Sequence, residues 1–234
     1  MSPKIFPISL GFNDCYLIQD DGIIMVDGGA PGKIDEFKAS LTRLGFKPSD
    51  IELIIVTHGH IDHIGSLKDI KEFTGAKVAI HRLDKDCVEK GEWVDSHKPK
   101  GVGRWGRMLG KIGVPLIMWL YPEAPATEVD LIIEDEGLSL IDLGVSGRVV
   151  YTPGHTIGSL SVALDSGEVF VGDLAMNKFP LRRRPGLPVL VDDLRKVRES
   201  WKQLLELGVE KVYPGHGQPF SIEVIKKAIA NEMD

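Results

Sequence analysis

Three histidines and an aspartate fall within six positions in "HGHIDH", residues 58–63, directly behind the apolar run "LIIV". Histidine is scarce, seven in 234 residues, and this cluster takes three of them. Imidazoles crowded in this way repel when protonated and lose hydration when buried. A bound cation removes both objections. His58 and His60, two positions apart at the end of a strand, can aim at one point, and Asp62 and His63 follow as the chain turns into a helix. Three more ligand-type residues stand in the same setting: His155 in "YTPGHT", Asp173 in "FVGDL" and His216 in "YPGHG", each behind an apolar run and a glycine. Sites in open α/β sheets gather at the carboxyl ends of strands, so these exits can share one cleft. Five histidines and two aspartates without cysteine suit Zn²⁺ or another first-row ion such as Fe or Mn. One tetrahedral ion takes about four groups including water, so seven side chains point to two ions.

The elements that must position these residues are legible as short runs of Ile, Val and Leu ending in Gly, Asp or His. "GIIMVDGG", "IELIIVTHGH", "GRVVYTPGH", "GEVFVGDL" and "VEKVYPGHG" read as buried strands. Ile34, Phe37, Leu41 and Leu44 keep helical spacing up to Gly45, as do Ile64, Leu67, Ile70 and Phe73 up to Gly75. Leu194, Val197, Trp201 and Leu204 predict a third helix that stops at Gly208, and Ser221 is placed to cap a fourth. Alternating strands and helices make this an α/β protein, read as a single domain over 1–234. Residues 85–127 break the rhythm with Gly, Pro and three of the four tryptophans, Trp93, Trp105 and Trp119. That stretch reads as a helical or irregular insertion serving as a lid or an interface.

Composition excludes several classes of function. Asp and Glu outnumber Lys and Arg by 34 to 28, which gives no general footprint for nucleic acid. The longest apolar run, 114–121, is far shorter than a membrane span, and the start, broken by Pro7, lacks a signal-peptide core. Cys15 and Cys87 lie in no ligand pair and read as small hydrophobes. The cytoplasm is the expected compartment.

Taken together, "HGHIDH" and the later motifs resemble the metallo-β-lactamase superfamily, with its His-x-His-x-Asp-His signature, over most of the chain outside 85–127. The resemblance implies a four-layer αβ/βα sandwich with the site at the sheet edges. It implies that His58, His60 and His155 hold one metal, that Asp62, His63 and His216 hold the other, and that Asp173 bridges both. Asp27, in "MVDGG", matches a position whose carboxylate supports the site from behind the ligands; its other reading is a strand-end turn former.

Two divalent ions make hydroxide available near neutrality and polarise a carbonyl or phosphoryl oxygen, so hydrolysis is the expected chemistry, with Asp62 taking part in proton handling. A complete "HGHIDH" with Asp173 resembles the glyoxalase II-like branch and implies cleavage of an ester, thioester or lactone of a small molecule. The alternatives are an iron-dependent persulfide dioxygenase-like oxidoreductase and a phosphodiesterase acting on RNA or nucleotides. Lys178, Arg182, Arg183 and Arg184 form a basic loop that could clamp an anionic substrate, or simply be solvated. In the insertion, Leu116, Ile117, Met118, Trp119 and Tyr121 offer an apolar wall over the cleft, with Trp119 as a substrate contact; a homodimer through 85–127 is the competing use.

Overall fold

The computed structural model describes residues 2–91, 100–120 and 123–231. Trp93 and Tyr121, singled out above, lie outside the described residues. The chain begins with β1 (Lys4–Leu10), β2 (Asn13–Gln19) and β3 (Ile23–Val26), followed by α1 (Ile34–Leu44) and β4 (Leu53–Ile55). After the histidine cluster come α2 (Ile61–Ile64), α3 (Leu67–Thr74), β5 (Lys77–His81) and α4 (Lys85–Lys90). Then follow β6 (Lys100–Gly101), α5 (Gly103–Leu120), β7 (Leu131–Ile133), β8 (Leu138–Ser139), β9 (Gly147–Tyr151), β10 (Leu160–Leu164) and β11 (Glu168–Phe170). The last elements are β12 (Leu190–Val191), α6 (Leu194–Glu206), β13 (Lys211–Tyr213), β14 (Phe220–Ser221) and α7 (Glu223–Ala230).

Two six-stranded sheets carry the fold, in the orders β1-β2-β3-β4-β5-β7 and β14-β13-β11-β10-β9-β8; β6 and β12 pair separately. Strand alternation assigns the two faces of each sheet to different cores. In β4, Leu53 and Ile55 face the space between the sheets, and Ile54 faces α1 and α3. In β10, Leu160, Val162 and Leu164 face that same middle core, while Ala163 packs towards α6 and α7. Three apolar cores between four layers are the sandwich expected above. The outer core of the second sheet is anchored by Trp201, fully buried, whose indole N–H donates to Leu174 O at 3.0 Å.

Helix ends follow their local chemistry. Gly45 (φ 78°) and Gly75 (φ 75°) close α1 and α3 in the left-handed region. Asp193 caps α6 by accepting from Arg195 N at 2.8 Å. Ser221 Oγ accepts from Glu223 N at 3.3 Å at the start of α7. The helix read as beginning at Ile64 is broken instead: α2 ends at Gly65, packed against Pro31, and α3 restarts at Leu67.

The first part of the segment 85–127 packs on the body of the fold. α4 belongs to the body, with Val88 in the first core, and Ala124 N donates to Gly91 O at 2.8 Å where the chain returns. Within the excursion, α5 is one helix of 18 residues containing Pro115, joined to the second half through the β6–β12 pair.

Candidate metal centre

Parallel pairing of β3 with β4 and of β11 with β13 points their carboxyl ends to one edge. Asp27 follows β3, His58 follows β4, Asp173 follows β11 and His216 follows β13. His155 leaves β9 at the same edge, where Leu160 N donates to Thr57 O at 2.8 Å and so fastens one sheet to the other. His60 precedes the one-turn helix α2, which carries Asp62 and His63. All seven expected ligand residues therefore meet there.

His58 Nε2, His60 Nδ1 and His155 Nε2 form a triangle with sides of 3.0, 3.0 and 3.2 Å. Zinc–nitrogen bonds of ~2.0–2.1 Å at tetrahedral angles separate nitrogens by about 3.3 Å. Asp62, His63 and His216 form a second group, and His58, His63 and Asp173 bring ligand atoms together between the two. Asp173 faces both groups: Oδ1 lies 3.4 Å from His63 Nε2 and from His216 Nε2, and Oδ2 lies 3.6 Å from His155 Nε2. His63 Nε2 and Asp173 Oδ1 are buried and face one another without a hydrogen bond. Buried polar atoms of that kind need a partner, and a cation between them satisfies both. The donor set fits a pair of first-row ions.

The electrostatics fit as well. Loss of hydration, reinforced by His155, takes His60 down to about 3, and loss of hydration with its histidine neighbours takes His58 well below its ordinary value. Both imidazoles present lone pairs at neutral pH. In the second group burial alone would lower His216, but the Asp173 and Asp62 carboxylates outweigh it and raise it to about 10. Burial is likewise outweighed at His63 by Asp27 and Asp173, which hold it well above its usual value. Asp62, despite burial, is held below the carboxylate range by its hydrogen bond from His216 at 3.0 Å and by His63. This half of the site stabilises positive charge.

Supporting contacts orient the ligands. Asp27, at φ 64°, accepts from His63 Nδ1 at 2.8 Å, from Thr57 N at 2.8 Å and from Thr57 Oγ1 at 2.9 Å. His155 Nδ1 donates to Leu190 O at 2.9 Å, and His216 Nδ1 to Phe12 O at 3.0 Å, which leaves each Nε2 free to coordinate. Sequence reasoning missed Thr57, Asn13 (Nδ2 3.2 Å from His63 Nδ1) and Asp84. Asp84 Oδ2 accepts from Gly59 N at 3.0 Å and from Thr156 Oγ1 at 2.8 Å. The one signal for Asp84 was an acid shortly after a strand-like run, in "VAIHRLD".

A cavity of about 370 Å³ opens over the ligands, its walls drawn from Phe12, Ile61, Met176 and Leu181, with Val114 and Ile117 from α5. Trp119 is not in that wall; it is 77% exposed. Of the loop 178–184, Leu181 lines the cavity but none of the basic side chains does. Lys178 Nζ donates to Phe12 O at 2.7 Å, Arg182 donates to Arg184 O and Leu187 O, and Arg183 lies over the Phe179 ring. Arg184 is exposed beside them. Trp105, on α5, donates its indole N–H to Pro180 O at 3.0 Å and so ties the helix to that loop.

Residues 8–216 match the sequence profile of the metallo-beta-lactamase superfamily. A "Beta-lactamase-like protein 2 homolog" of Drosophila melanogaster is 29% identical over 72% of this chain, which spans only 46% of the fly protein. A "Probable metallo-hydrolase" of Methanocaldococcus jannaschii is 28% identical over 88% of each chain. Among solved structures, an archaeal metallo-beta-lactamase superfamily protein from Sulfolobus tokodaii superposes over the whole chain and 88% of its own, with a TM-score of 0.68 at 23% identity; that likeness concerns the fold.

Proposed function

Because the chain belongs to the metallo-beta-lactamase superfamily, whose members bind metal ions, we propose that it is a dinuclear metal-dependent hydrolase of an ester, thioester or lactone with an apolar acyl portion. The carrying observation is the buried pair His63 Nε2 and Asp173 Oδ1, unsatisfied and set between two ligand groups. His58, His60 and His155 would hold one Zn²⁺ and Asp62, His63 and His216 the other, with Asp173 placed to serve either group. Bound there, such ions bring the pKa of water from 15.7 to about 7 and polarise the scissile carbonyl.

The chain's own groups do the rest. Asp27 fixes the ring of His63 through Nδ1. Asp62, held ionised, would take the proton as water attacks and return it to the leaving group through the oxygen that does not hold the ion. Among the described lining residues that are not ligands, Lys33 is the one charged side chain, and its Nζ donates to Glu36 at 2.7 Å. An apolar group therefore suits the cavity better than an anion, and the position of Arg182, Arg183 and Arg184 outside it weighs against a phosphodiester.

Metal analysis of protein purified without chelator, followed by a panel of acyl esters, thioesters and lactones, tests this reading. The expected result is about two ions per chain, mostly zinc, with hydrolysis favouring longer acyl chains. Asp173→Ala should lower the metal content and abolish most turnover while the protein stays folded. One iron per chain, with oxygen uptake on a sulfur substrate and no hydrolysis, would overturn the proposal.

A further inference from the structure

α5 has two apolar faces, of which only one is covered by the described residues. Its inner face, Gly106, Gly110, Val114 and Ile117, meets Val189, Leu190 and the cavity. The opposite stripe, Met108, Ile112, Leu116 and Trp119, keeps the same spacing of four, four and three, and points to solvent with exposures of 43, 66, 52 and 77%. An apolar stripe that long on an outer surface marks an interaction site. Along its shoulder run Arg104, Arg107 and Lys111, all exposed, and no acidic residue occurs from 103 to 122. The Trp105–Pro180 hydrogen bond brings the basic loop alongside, where Phe179 is 68% exposed beneath Arg183. The arginines of that loop, which do not line the cavity, thus extend the same patch.

We infer that the outer face of α5 seats the protein on an anionic lipid surface. A helix with Trp and Leu on one face and Lys and Arg at its side lies in the headgroup plane with its apolar stripe in the acyl boundary. No described helix is long and apolar enough to cross a membrane, so the mode is lying on rather than spanning. Charge selects the partner. A second copy docked through the same face would bring no acidic side chain of this helix to meet Arg104, Arg107 and Lys111. Phosphate headgroups would neutralise them. The rest of a chain of formal net charge −6 is repelled by such a surface, which orients the molecule by this face. The inner stripe of the same helix walls the cavity, so docking sets the cavity mouth close to the source of an apolar acyl substrate.

Flotation with phosphatidylcholine vesicles, with and without phosphatidylglycerol, tests the inference on the full chain. Binding is expected on the anionic vesicles, with a blue shift of indole fluorescence. Arg104→Gln, Arg107→Gln and Lys111→Gln should each weaken it about fivefold, the equivalent of ~1 kcal/mol per cation. Ile112→Glu and Trp119→Glu should abolish it while metal content and melting temperature hold. No binding to either vesicle, or equal binding to both, overturns the inference. So does a solution dimer that Ile112→Glu converts to monomers. None of these readouts requires hydrolysis, so this result stands or falls apart from the proposed reaction.

Discussion

A single carboxylate oxygen, Asp84 Oδ2, holds two loops that carry opposite corners of the first ligand triangle. Gly59 N lies between His58 and His60, and Thr156 Oγ1 is next to His155. Asp84 is a positioning residue, acting on the metal through other side chains. Asp84→Ala should weaken zinc affinity of this group about 10–100-fold, read by competition with a chromophoric chelator. Asp84→Asn, which keeps an acceptor, should fall between wild type and Ala. Unchanged affinity in Asp84→Ala would remove the role. The contrast with the ligands explains what the sequence made legible at this scale. Histidines two, three and five positions apart announce a common target through their spacing and their scarcity. Asp84 and Thr57 act through hydrogen bonds that only the fold creates, and neither residue type has a spacing in the chain that marks the role, although Thr57 stands next to His58.

Elements pack too closely at the centre to tolerate a methyl group. A Cβ on Gly59 would overlap Cys87 Cβ and sit 2.7 Å from Sγ, so the glycine of "HGHIDH" is where α4 passes over the histidine loop. Gly59→Ala should destabilise by about 1–3 kcal/mol, as overpacking does. Removing the opposing Cβ with Cys87→Gly should recover part of that loss, so that the double variant unfolds at higher urea than the two single effects summed would allow; strict additivity would mean the two elements do not press on each other. The same scale shows why some elements went unread. α5 lacks a clean period because its apolar residues face the cavity on one side and solvent on the other, and Gly110, Gly113 and Pro115 interrupt the count. β5, β7 and β10 are three to five residues long, and in β10 every residue is buried, which erases the alternation that marks a half-buried strand. The long helices α1 and α6 each bury one face only, and their stripes survived in the sequence.

At the scale of the whole molecule, the candidate ligands are drawn from both sheets. His58, His60, Asp62 and His63 come from the first, and His155, Asp173 and His216 from the second. Ions bound only by the joined sheets add to folding stability, by ~4.1 kcal/mol when free metal is 1,000-fold above the dissociation constant. With a shift of ≈ 2–4 °C per kcal/mol for a chain of this size, chelation should lower the melting midpoint by about 10 °C. Zinc should restore it, whereas magnesium, which prefers oxygen ligands, should not; an unchanged midpoint in chelator would argue against a shared site. The sandwich itself was readable from alternating runs and helix stripes, while the junction of the two sheets, where Leu160 at the start of β10 donates to Thr57 O beyond β4, was not, because it depends on where two separately formed sheets meet. That division has a consequence for how the protein is made. Synthesis delivers "HGHIDH" and the first sheet before any of His155, Asp173 or His216 exists. The growing chain carries an incomplete ligand set, so an ion that needs ligands from both sheets is held firmly only once they have met. Which ion is kept then depends on what the surroundings offer at that moment, since the affinity order of these ligands alone does not favour zinc over copper.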